Sequence, residues 1–144
     1  MTNPSAGPQI TKHILKLALQ IDATGVPAYV PVQPEMDCES DSCFNNVSAI
    51  VRRRGGAIQH GWSMRELPGV FVEGAFHAVW RRPDGSLQDV TPRKDGHARI
   101  VFLPDSKRVW DGDDVDNRRM MLHERPCYCG NGLPFILCHG RNDD

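Results

Sequence analysis

Two apolar periodicities divide this chain. Ile10, Ile14, Leu17 and Ile21 fall on one stripe, with Lys12, Lys16 and Gln20 elsewhere, which predicts a helix over Ile10–Ile21. Pro8 stands near its start, where a missing N–H costs nothing. Prolines alternate with apolar residues over Val26–Gln33, so that stretch is extended. Met36–Ser42 is a polar loop with three acids. Phe44, Val47, Ile50 and Val51 form the buried stripe of a second helix, Cys43–Arg54, with Asp41 or Ser42 as N-cap. Gly55-Gly56 ends it. From there the period changes to two. Ala57–Glu66, Val70–Arg81, Ser86–Thr91 and Arg99–Leu103 read as strands, separated by turns at Leu67-Pro-Gly69 and Pro83-Asp-Gly85. Pro104–Asn117 is rich in aspartate and reads as a solvated linker. The fold class is therefore α+β, with N-terminal helices packed on an antiparallel sheet.

Beyond the linker the pattern is of a different kind. Cys127-Tyr-Cys129 is followed, after eight residues, by Cys138-His139-Gly140. Three thiolates and one imidazole make a complete tetrahedral set for Zn2+. Gly130 and Gly132 allow the tight backbone turn that would bring the second pair of ligands onto the first. So short a tail has little apolar bulk, and the metal would supply its folding free energy. Cys127-x-Cys129…Cys138-His139-Gly140 resembles the SEC-C motif, found at the C-terminus of the SecA translocation ATPase and on small bacterial proteins. The resemblance implies bound zinc, a bacterial setting and an interaction module. It covers the tail alone, from about Arg125. Here Leu133-Pro-Phe-Ile-Leu137 is apolar, where the family carries polar and basic residues. The expected division is a core over 1–117 and a zinc knuckle over 118–144.

Composition removes several function classes. With 144 residues and 40% apolar content, one ordinary domain plus the knuckle fits. A net charge of −1 gives no global electrostatic case for nucleic acid or an acidic membrane surface. No apolar run reaches the length of a membrane span. Met1–Pro8 lacks the basic start and apolar stretch of a secretory signal. A zinc-type cysteine cluster suits a reducing compartment, so a cytoplasmic location is expected.

Three cysteines assigned to zinc leave Cys38 and Cys43. Cys43 falls at the first turn of the second helix, where backbone N–H groups and the helix dipole favour an anionic sulfur. Asp37, Glu39 and Asp41 oppose that effect. A nucleophilic thiol needs a base, and the base an orienting partner. His77 and Asp89 qualify if the Pro83-Asp84-Gly85 turn is a three-residue loop. That register pairs Arg82 with Ser86, Val79 with Asp89 and His77 with Thr91. Asp89 then shares a face with His77 as a diagonal neighbour, about 7–8 Å away between backbones. A two-residue loop would put Asp89 on the other face.

The order Asp41-Ser-Cys43-Phe, His77-Ala-Val-Trp80, Asp89-Val-Thr-Pro92 resembles the transglutaminase-like and papain-like thiol enzymes. They carry cysteine at a helix start, then histidine on a strand, then Asp or Asn on a neighbouring strand. The resemblance spans roughly Glu35 to Pro92. The tryptophan stands one position later than in the transglutaminase-like pattern, and Asp-Val-Thr-Pro reorders that family's Asp-Pro-Thr. The resemblance implies that Cys43 attacks a carbonyl carbon, His77 moves the proton and Asp89 fixes the ring. It implies an amide hydrolase or acyltransferase acting on a protein or peptide. Gln33 is the nearest oxyanion donor, and His60 is a reserve base. The same residues also suit a non-catalytic zinc-binding adaptor that docks on a protein, with Cys43 and His77 as core residues. Cys38 reads as a loop thiol that could pair with Cys43.

Overall fold

The computed structural model describes residues 7–67 and 71–108. Two helices and five strands run in the order α1 (Lys12–Ile21), β1 (Ala28–Pro31), α2 (Cys43–Arg54), β2 (Ala57–Leu67), β3 (Phe71–Arg81), β4 (Leu87–Gln88) and β5 (Arg99–Pro104). The fold is α+β, as the change of period predicts. No helix among the described residues is long and apolar enough to cross a membrane.

The sheet order is β1-β5-β2-β3-β4. Every strand pair in it is antiparallel. An isolated parallel bridge between Val32 and Asp89 joins its two margins, so the sheet is nearly closed. Two apolar clusters follow from the strand alternation. Trp62, Met64, Val72, Phe76, Ala78 and Trp80 face the helices and pack with Ile14, Leu17, Phe44, Val47 and Ile50. Val30, Val79, Ile100 and Phe102 lie on the other face, inside the curl. The sheet closes tightly at Gly61, where an added Cβ would fall 2.3 Å from the Leu103 carbonyl oxygen and 2.5 Å from the Phe102 ring.

The helix boundaries have local causes. Thr11 caps α1 by accepting the Ile14 N–H, so the helix starts two residues later than the apolar stripe. Cys43 is the first residue of α2. Ser42 precedes it as N-cap, without a side-chain capping bond. Gly55 ends the helix with φ at +84°.

Two sequence expectations change here. Asp105 is not a solvated linker residue. It is buried and accepts from the Trp62 indole N–H at 2.9 Å, the Lys107 N–H at 2.9 Å and Arg108 at 2.6 Å. Its own N–H donates to the His60 carbonyl, which extends the β5 pairing one residue further. The strand expected over Ser86–Thr91 is reduced to Leu87–Gln88, because Asp89 leaves β3 to bridge Val32. Most of the expected linker, and the whole 118–144 segment with Cys127, Cys129, Cys138 and His139, lie outside the described residues.

Candidate active site

The β3–β4 turn sets the geometry. Arg82 N–H donates to the Ser86 carbonyl at 2.8 Å, and Gly85, with φ at +90°, supplies the left-handed position of a three-residue loop. Trp80 pairs with Gln88 and Arg81 with Leu87. This is the register that puts Asp89 on the same side as His77. Asp89 Oδ2 lies 3.2 Å from His77 Nε2.

Asp89 is fixed from several directions. Its N–H donates to the Pro31 carbonyl, and its own carbonyl accepts from the Gln33 N–H, both at 2.9 Å. Its Oδ1 accepts the Thr91 N–H at 3.2 Å. It is fully buried. The His77 side chain, 12% exposed, has its ring edge against Phe102. Nε2 is engaged with Asp89.

Cys43 comes from the other side of the sheet. α2 packs mainly on β3, and Cys43 belongs to the apolar cluster beneath the helices. β4 ends at Gln88, so beyond it this short strand no longer covers β3 beside His77. An open cleft of about 630 Å³ lies there, with Cys43, His77 and Asp89 all in its lining. Phe44, His60 and Phe76 stack beneath, with ring centroids 5.7–6.1 Å apart.

The electrostatics of the ring reflect both neighbours. Burial pulls the His77 pKa down, but the Asp89 carboxylate and the Cys43 sulfur, by charge and by hydrogen bonding, push it up to about 10. The imidazole is therefore charged at neutral pH, with Nε2 on a carboxylate. A protonated imidazole so placed can hold a thiol proton and deliver it to a departing amine.

The cleft extends away from the three residues along β3 and β2. Ala75 and Ser63 line it, and further along stands the cross-strand ion pair of Arg65 with Glu73. Glu73 is thus committed to Arg65. On the opposite wall Arg93 pairs with Asp95, and Lys94 reaches Asp41 at 3.3 Å. Ser40 Oγ donates to the Pro92 carbonyl at 3.4 Å. The loops before α2 and after Asp89 are thus tied together at the mouth.

The remaining candidates are placed elsewhere. Gln33 is not in the cleft lining. Its backbone N–H is bonded to the Asp89 carbonyl instead. His60 is held in the aromatic stack, and burial lowers its pKa. Cys38 and Cys43 are both free thiols. Cys38 lines a different cleft, beside Asn45, Ala49 and Arg52, and burial raises its pKa against the opposing charge of Arg53. His13 and His97, which have no partner evident in the sequence, pair with Glu66 at 2.7 Å and Asp95 at 3.3 Å. Arg54 pairs with Glu35 and lies over the Trp80 ring.

Asn46 and Thr91 are the residues that sequence reasoning passes over. Asn46 is polar but falls among Phe44, Val47 and Ile50 on the buried side of α2. That misfit in the apolar stripe was the available signal. Among the described residues, no group of three or more His, Cys, Asp or Glu could hold a metal ion. No family model, curated protein or solved structure matches the chain.

Proposed function

We propose that the protein is a thiol hydrolase or acyltransferase that acts on an amide bond of a protein or peptide, with a transglutaminase-like or papain-like core. The observation that carries this reading is a convergence: His77 Nε2 stands 3.2 Å from Asp89 Oδ2, and Cys43 lines the same cleft as both. The cleft beside them gives a substrate carbonyl access to the sulfur.

The chemistry then runs in two halves. Cys43 Sγ, its proton already held by His77, attacks the carbonyl carbon, and the carbonyl π pair moves onto oxygen. The first turn of α2 lies beside that oxygen and its backbone N–H groups favour negative charge there. Collapse of the adduct breaks the C–N bond, and the amine leaves with the proton from His77. A thioester remains. In the second half His77 takes a proton from water or from an acceptor amine, which attacks the thioester and releases the sulfur. Asp89 holds the ring orientation throughout and stabilises its charged form.

In the tail, Cys127, Cys129, Cys138 and His139 supply donors of the type and number that a closed structural zinc site requires, with no open position for a water. Zinc there supplies folding, and the knuckle recruits a protein partner in the cytoplasm.

The test is the reactivity of Cys43 toward iodoacetamide at neutral pH, mapped by mass spectrometry to separate it from the other thiols. The expected result is labelling far faster than a free thiol, lost in Cys43→Ala, with amide cleavage lost in the same variant and the fold retained. Labelling at the rate of an unactivated thiol refutes the enzyme and leaves the adaptor.

A further inference from the structure

The geometry points to Asn46 as a positioning residue that locks the helix carrying the nucleophile to the segment carrying the carboxylate. The inference rests on the catalytic reading of Cys43, His77 and Asp89 above.

Asn46 stands one turn after Cys43, on the buried side of α2. Its amide is fully used. Nδ2 donates to Thr91 Oγ1 at 3.0 Å and to the Glu39 carbonyl at 2.8 Å. Oδ1 accepts the Glu39 N–H at 3.1 Å. Thr91 is itself buried, and its N–H holds Asp89 Oδ1. A continuous path therefore runs from the His77 ring through Asp89 and Thr91 to Asn46, and back along one helical turn to Cys43. The elements at its ends face opposite sides of the sheet, so pairing within the sheet cannot set their separation. Among the described contacts, this path joins them by directional bonds.

The second arm acts on the approach to the helix. The loop before Cys43 contains Asp37 at φ +69° and Asp41 at φ +63°. Left-handed backbone costs a non-glycine residue roughly 1 kcal/mol, though aspartate tolerates it better than most. The paired bonds from Asn46 to both polar groups of Glu39 hold the loop in that shape between the two positions. One side chain thus fixes how the chain enters α2 and where α2 sits against Asp89. Asparagine suits the task because it offers both donors and an acceptor. Aspartate would lose both donated bonds, and leucine would remove the partner of the buried Thr91 hydroxyl and of both Glu39 backbone groups.

The experiment separates positioning from mere support of the fold. Cys43 alkylation by iodoacetamide is measured from pH 5 to pH 10, beside urea unfolding, in the full chain. Thr91→Val removes only the bond between Asn46 and Thr91. It is expected to slow alkylation at pH 7 by about tenfold, since small misplacement of reacting groups is costly. Thr91→Ser keeps the acceptor and should restore the rate. Asn46→Ala should slow it at least as much, and adding Thr91→Val to it should cost little more, because both cut one path. A folded Thr91→Val protein with the wild-type rate and pH profile overturns the inference, as does an additive double variant. A lowered urea midpoint with unchanged alkylation marks a structural role and also overturns it. Should Asn46→Ala not fold, the Thr91→Val and Thr91→Ser pair decides. Slow alkylation of the wild-type protein removes the catalytic reading and this inference together, whereas fast wild-type and equally fast Thr91→Val removes only this one.

Discussion

Replacing Asp89 by asparagine keeps the shape of the site and removes its charge. In the wild-type protein, His77 has its pKa raised from 6.5 to about 10 against the pull of burial. Its folded pKa is above its unfolded value. The stabilisation it gives is thus fully present below about pH 6.5 and is lost as pH rises toward 10. Between those limits the folded state holds one more proton than the unfolded chain, so stability falls by about 1.4 kcal/mol per pH unit from this group. From pH 7 to pH 9 the expected loss is about 3 kcal/mol, a large share of an ordinary domain's stability. In Asp89→Asn the largest raising influence is gone and burial dominates. The ring should then lose its proton near or below the usual histidine range, and its contribution to the slope should vanish across the same interval. Urea unfolding at half-unit pH steps reads the slope, and the His77 ring resonances in NMR titration read the proton directly. A wild-type His77 that titrates at or below 6.5, or Asp89→Asn stability with the same decline from pH 7 to pH 9, would refute the reasoning.

Three further outcomes follow from particular contacts. Gly61→Ala should lower stability by well over 1 kcal/mol, because its Cβ would meet the Leu103 backbone and Phe102 ring. It should also slow Cys43 alkylation, since Gly61 pairs with His77; thermal melts and the labelling rate check both. Asp105→Ala strands the buried Trp62 indole N–H and should cost about 1–3 kcal/mol, read as a shift in urea midpoint with the m-value unchanged. Metal analysis of the purified chain should find one zinc per chain, lost in Cys127→Ser, while Cys43 labelling stays at the wild-type rate; a zinc-free wild-type chain ends the knuckle assignment.

The elements themselves were legible along the chain. The bounds Cys43–Arg54 follow from the stripe of Phe44, Val47, Ile50 and Val51 and the glycine stop, both local properties. The period-two runs fixed which side chains of β2 and β3 face the helices. The turn Pro83-Asp84-Gly85 set the register, and with it the encounter of His77 with Asp89, because loop length dictates which face a strand residue takes. These are short-range constraints, and a linear pattern carries them.

Tertiary structure decided what lies between elements far apart in sequence. That Asp89 abandons β4 for Val32, that Asp105 turns inward to Trp62, and that Gln33 is left out of the cleft lining all depend on how the sheet curls until its margins meet. That Cys43 and His77 line one cleft beyond the end of β4, and that Asn46 reaches Thr91 across 45 residues of sequence, are likewise tertiary facts. Such contacts gain their energy only once both partners are buried together, since an exposed amide and hydroxyl would bond water equally well. Hydrophobic spacing therefore announces helices and strands, while the buried polar bonds that align a site become visible only when the chain has closed around them.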